Sequence, residues 1–556
     1  MSAWRWIALS VTLAACAGGC QTPQTAPKPG VYVDAAAKPG GDGSHGNPFQ
    51  SLQAALERKR GDERIWLAPG DHTIPSGVRL SNSSHISGAG IGRTRLVLAG
   101  DAPANWSNEG GIVLEGLTLG GALQIKAGSL ELKGAEVTGR LVLEDAVRVE
   151  MVDVGFKDSR GVKITGCGSA NMTRVRFENT SGNAVELNET TLTGVEVTIK
   201  GTQKAGPGTG DGIVALGSVV KLDKSRVEAV ADRGIAIKLH SMAMLSDVEM
   251  HDGKRSLLYV DMESNVEGKN LKISGATSCV FAASKGQMVL KDSQIGPCVR
   301  HGALISDRGG LEVDKSTFND CPSGHISVIG DGTSLQASAS TFKNAGDLCI
   351  NVASTDEAVR IEGNTFEGCK GAAVGILRST EVKIRANKVR DTALSATISD
   401  MGHGISAVDS HADIENNTVE SVARSGIVLL RSSGKVSGNQ IAGSGAAGIN
   451  VGDRADRGAA SIESNKVTGS KGAGIAVSNH PAVLTGNEVR QTAKGGLVGG
   501  DGILITAVPS AKVQSNVVSG NEGHGLRLDC AVSKDKTTVS DNTFAKNGAG
   551  PRNQCP

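Results

Sequence analysis

The chain has 556 residues with 58 Lys and Arg against 57 Asp and Glu, a balance that excludes a general nucleic-acid-binding surface. Glycine is very frequent at 75 residues, and aromatics make up only 3%. With β-branched residues abundant, that composition suits short strands joined by tight turns. The length suggests several domains, an expectation that internal repetition overrides.

In chain order, residues 1–15 read as an export signal. Arg5 supplies a short positive start, and residues 6–15 are apolar and uncharged but too short to span a bilayer. The run ends in Leu13-Ala14-Ala15-Cys16, which resembles the lipobox of bacterial lipoproteins: an aliphatic residue, two small ones, then the cysteine that takes the lipid. Cys16 is the expected lipidated residue, with Cys20 the alternative. The resemblance implies export and a lipid anchor in the cell envelope. Ala17 after Cys16 implies the outer membrane if the source is Gram-negative. Residues 16–29, rich in Thr, Pro, Ala and Lys, cannot pack and read as a tether. No later segment is apolar enough to cross a membrane.

Residues 30–77 read as a cap. Phe49, Leu52, Ala55 and Leu56 fall on one face of a short helix, which would cover a sheet edge otherwise open to aggregation. Trp66 is expected in the core of the first coil.

Residues 78–548 carry the repeat. A glycine followed by an apolar-x-apolar strand recurs at Gly212, Gly234, Gly404, Gly426, Gly448, Gly474, Gly502 and Gly525, in steps that include 22, 23, 26 and 28 residues. An Asn two residues ahead of an aliphatic or Phe recurs at Asn364, Asn387, Asn417, Asn439, Asn465, Asn487, Asn516 and Asn542. Each period holds about three short strands and no stretch long enough for an amphipathic helix. Such strands bury an apolar face only by stacking on their equivalents above and below. The Asn positions are expected to serve sharp left-handed turns and to bond amide to amide along the axis. Phe156, Phe177, Phe318, Phe342, Phe366 and Phe544 share one place in the period and read as an internal stack.

This pattern resembles the right-handed parallel β-helix superfamily, which includes pectate lyases and many polysaccharide-processing enzymes. The resemblance implies an all-β fold: a single right-handed parallel β-helix with a short N-terminal capping helix and a tail at 549–556. It also implies on the order of 20 coils and a rod ~95 Å long.

Eight cysteines lie beyond the lipobox region. Cys279 with Cys298 and Cys349 with Cys369 are spaced 19 and 20 apart, and each pair could join neighbouring coils. Cys298 with Cys321 is a rival pairing, Cys530 and Cys555 could close the last turn, and Cys167 has no obvious mate. With no Cys-x-x-Cys pair, structural zinc is not expected.

Stacking turns the residue before each strand-opening glycine into a column that includes Asp211, Arg233, His403, Asp501 and His524. Three members follow the long insertions 202–210, 393–402 and 491–500, and long turns on one face of a solenoid are a common binding face. Asp501 and His524, one coil apart at ~5 Å, are the first candidate acid/base pair. Asp211 and Arg233 read as a surface ion pair. His403 with Asp409 and His411, near Asp400 and Asp413, is the second candidate neighbourhood, and calcium is possible there. His403 is ~19 Å from Asp501, too far for one bond-breaking site.

Gly402-His403-Gly404 and Gly523-His524-Gly525 resemble the Gly-His-Gly motif of polygalacturonase-type glycosidases, but the Asn-Thr-Asp, Asp-Asp and Arg-Ile-Lys segments of that family are missing. The Asp-Pro-His-Asp segment of alginate-type epimerases is missing too. The expectation is therefore a monomeric rod that binds a polymer, polysaccharide by resemblance, on outward polar side chains. A polysaccharide lyase or hydrolase and a structural or adhesive rod are the alternatives, and no cofactor is required.

Overall fold

The computed structural model describes residues 28–554 apart from 81–82, 99–101, 109, 127, 454–457, 496–498, 530 and 533–535. Among the described residues there are 64 strands and one α-helix. The strands form three parallel sheets of 22, 21 and 21 members. From Arg64–Leu67 onward every coil contributes one strand to each sheet in turn, so the chain is a solenoid. One such coil runs through Ile427–Leu430 on face one, Gly434–Ser437 on face two and Gln440–Ala442 on face three. Successive coils lie in register: Ile405 pairs with Ile427 and Ile427 with Ile449. Twenty-two face-two strands at strand spacing give a rod of ~100 Å.

The alternation of each strand sets its core face. Ile405, Ile427, Ile449, Ile475 and Ile503 form one buried column, and in the later strands Ile475–Ser478 and Ile503–Thr506 the alternate side chains face out. The Phe column is present: Phe156 stacks on Phe177 at 4.4 Å between ring centres, and Phe318, Phe342 and Phe366 stack at 5.2 and 4.9 Å. Space explains the strand-opening glycines. A Cβ at Gly474 would sit 2.2 Å from Val489 Cγ1 and 2.7 Å from the Gly502 carbonyl oxygen.

The Asn column forms the expected amide ladder, with one adjustment. The left-handed residue is the one before each Asn, as at Asn416 (φ 55°) before Asn417 and Ser464 (φ 52°) before Asn465. The ladder Asn itself then turns inward. Its Oδ1 accepts both the backbone and side-chain N–H of the Asn one coil before, as Asn439 does from Asn417.

The coil begins earlier than expected. Val31–Val33 pairs with Arg64–Leu67, which pairs with Ser84–Ser87, so face two already starts inside the cap. The helix Leu52–Arg58, capped by the Ser51 side chain, lies over that open end with Leu52 and Ala55 buried. Trp66 is not core. Ile65 and Leu67 take the inward positions of their strand, so Trp66 faces out between Lys28 and Arg64. Trp106 is the buried tryptophan, donating from Nε1 to the Pro75 carbonyl at 2.8 Å.

Cys279–Cys298 and Cys349–Cys369 are disulfides. Each ties the opening of a face-one strand to the corner that ends the same coil, rather than clamping two coils together. The rival Cys298–Cys321 bond does not form: Cys321 and Cys167 are buried free thiols, and burial pushes the Cys321 thiol up to about 12. Cys16, Cys20, Cys530 and Cys555 lie outside the described residues.

Candidate functional site

The long insertions all fall at the corner between face three and face one, where the column of candidate residues also runs. There the side chain of one coil accepts a backbone N–H of the next. Asp501 Oδ1 accepts from the His524 backbone N–H at 2.8 Å, and Asp211 Oδ1 accepts from the Arg233 backbone N–H at 2.8 Å. His403 Nδ1 accepts from the Ser425 N–H at 3.3 Å, and burial lowers its pKa. Asp501 and His524 are thus neighbours as expected, but carboxylate meets backbone rather than imidazole. The second Asp501 oxygen faces Arg527 at 3.6 Å. Asp211 and Arg233, expected at the surface, are mostly buried, with side chains 2% and 12% exposed.

The second neighbourhood is not brought together. His403 and Asp409 flank the strand His403–Val408, ~20 Å apart along it. Asp409 receives two hydrogen bonds from Arg431, at 2.6 and 3.1 Å, and Arg431 reaches on to Asp453 at 3.2 Å. His411 Nδ1 meets Ser433 Oγ at 2.9 Å. The carboxylates do not fit calcium: Asp400 pairs with Arg424, Asp409 with Arg431, and Asp413 accepts from the Lys435 N–H. Among the described residues no group of three or more His, Cys, Asp or Glu could hold a metal ion.

A site not anticipated from the sequence lies on face two. An open cleft of about 670 Å³ crosses the strands from Thr191–Val195 to Gly310–Asp314. Its central column, strand by strand, is Thr193, Lys221, Met244, Glu267, Val289 and Glu312. Beside it run Val195, Asp223, Ser246, Lys269 and Lys291. Methionine and valine supply an apolar floor, and lysines and carboxylates lie around it at coil spacing. The strands here have five residues, against four from Val359–Glu362 onward. The outward alternate positions of these strands were the sequence signal that could have found the cleft.

The family model described as "Right handed beta helix region" matches residues 256–419 and 425–552. The chain belongs to the right-handed beta helix family. A search of curated proteins finds no match. Among solved structures this beta helix is similar to the A-module of the mannuronan C-5 epimerase AlgE6 of Azotobacter vinelandii, at 14% identity over 62% of this chain and 94% of that one, TM-score 0.24. It is also similar to bacteriophage phi29 gene product 12 (12%, 89% and 70%, TM-score 0.33) and to a variant of the PL6 family alginate lyase AlyGC (9%, 88% and 98%, TM-score 0.26). At these identities and scores the likeness carries no argument about ligand or reaction. No helix among the beta helix's described residues is long and apolar enough to cross a membrane.

Proposed function

We propose that the protein is an exported, lipid-anchored rod that binds a polysaccharide along face two. The face-two cleft carries this reading. A polymer is a repeating ligand, and the cleft offers repeating contacts: Lys221, Glu267 and Glu312 in one column, Lys269 and Lys291 in the next, around Met244 and Val289. Six coils of that face present ~24 Å of continuous surface. The two disulfides fit an oxidising compartment outside the cytoplasm, in keeping with the signal and lipobox at Cys16.

Electrophoresis of the detergent-solubilised full chain through gels containing neutral or acidic polysaccharides tests the reading. Retardation by at least one polymer is expected. Met244→Arg places a long charged side chain in the middle of the cleft and should weaken that retardation by about tenfold or more, a change of ~1.4 kcal/mol. Free migration through every polymer, or full retardation of the variant, would overturn it.

A further inference from the structure

Exposed methionine is concentrated at one place on the rod. Among the described residues Met151, Met172, Met250 and Met288 are core side chains, at 1% exposure or less. Met242, Met244 and Met262 are 46%, 45% and 46% exposed, and all three lie in two successive coils. The strand Met242–Ser246 turns Met242 and Met244 outward, because Ala243 and Leu245 take its inward positions. Met262 stands at the corner before the next strand of that face, Asn265–Lys269. Of the three, Met244 lines the face-two cleft. Exposed thioethers are the ones that oxidants reach, and oxidation turns a flexible apolar side chain into a polar one.

The neighbours of Met244 suit its oxidised form. Lys221 pairs with Met244 on one side and Glu267 on the other. All three side chains face out, on backbones ~5 Å apart. A thioether sulfur is only a weak acceptor for the Lys221 ammonium. A sulfoxide oxygen is a strong one, and its bond from Lys221 Nζ is charge-assisted. The Glu267 carboxylate has no proton to donate, so the oxygen turns toward Lys221. One added oxygen therefore does two things: it puts a polar group in the middle of the apolar floor, and it ties Lys221 across that floor.

We propose that Met244 is a modification site at which peroxide switches the face-two cleft off. The sulfur lone pair attacks one oxygen of hydrogen peroxide. The S–O bond forms as the O–O bond breaks, and the hydroxide released takes the proton of the sulfur-bound oxygen to leave as water. Sulfur gives up two electrons and the peroxide takes them. The inference rests on the cleft reading and gives that cleft a regulation: binding before exposure to peroxide and release after it.

Treating the detergent-solubilised full chain with hydrogen peroxide tests it, with peptide mass spectrometry and the polysaccharide gels run on the same samples. One added oxygen should appear on Met242, Met244 and Met262 before Met151, Met172, Met250 and Met288, and retardation should weaken about tenfold as Met244 oxidises. Each variant is read against its own untreated retardation. Met242→Leu/Met262→Leu keeps the Met244 sulfur and should weaken about tenfold on treatment, as the unaltered chain does. Met244→Leu has no sulfur in the floor and should not change on treatment, although Met242 and Met262 still oxidise. Four results overturn the switch and leave the cleft standing: Met244 oxidising no sooner than the core methionines, retardation that survives Met244 oxidation, a fall in Met244→Leu as large as in the unaltered chain, or a fall that comes with loss of the near-ultraviolet circular dichroism of the fold. Absence of retardation before any peroxide overturns the cleft, and the switch with it.

Discussion

His325 is 0% exposed, with both ring nitrogens closed off from water. The rings of Phe318 and Phe342 lie 6.3 and 5.9 Å away. Burial drives its pKa down from 6.5 to about 4. Between those values the unfolded chain binds a proton that the folded chain refuses, so stability is complete above pH 6.5 and falls as pH drops toward 4. The full loss is ~3 kcal/mol from this group. His325→Leu should be at least as stable at pH 7 and should flatten the fall, read as melting temperature from pH 7 to 4. An unchanged acid slope would show that His325 does not titrate there. At this scale the sequence told which residues alternate but not always the parity. Trp66 was expected inside because it is large and apolar, yet its neighbours Ile65 and Leu67 hold the two inward positions.

Elements were more legible than residues because one strand per face per coil repeats the same constraint many times. The Asn ladder shows how strongly. Asn439 accepts twice from Asn417 and donates to the Ile414 carbonyl at 2.8 Å and to Asn465 at 2.9 Å. Asn439→Ala removes all four bonds and strands buried partners on two coils, a loss of about 2–4 kcal/mol. Asn542→Ala, at the half-buried end of the ladder, should cost ~1 kcal/mol because water reaches the freed groups. Urea midpoints give the ranking. Hydrogen exchange at the Asn417 and Gln440 amides shows whether the weakness stays local, as expected for a stack of nearest neighbours; equal midpoints for the two variants would contradict the ladder's role. One coil departs from the repeat: its strand Ser256–Val260 has Leu257 where the repeat has glycine, and Leu258 pairs with Ile235, so the glycine-keyed column runs on from Arg233 to later coils without it.

A rod of stacked strands has two ends, and each end presents unpaired N–H and C=O groups to any other chain. At the N-terminal end the helix Leu52–Arg58 packs against the strands Val31–Val33 and Gly70–Ile74. Leu52 and Ala55 are its buried contacts, with Phe49 and Leu56 partly buried against the same core. Replacing both buried residues by Asp puts two charges where nothing can pair them, so the helix should lift while the coils beyond it, held by their own ladders, stay folded. The exposed edge is then free to meet an identical edge. Sedimentation of Leu52→Asp/Ala55→Asp should show association that grows with concentration, against a monomer for the unaltered chain, with far-ultraviolet circular dichroism still dominated by strand. A variant that stays monomeric at every concentration would mean that the helix seals no edge, and that another feature of the first coil keeps these rods apart.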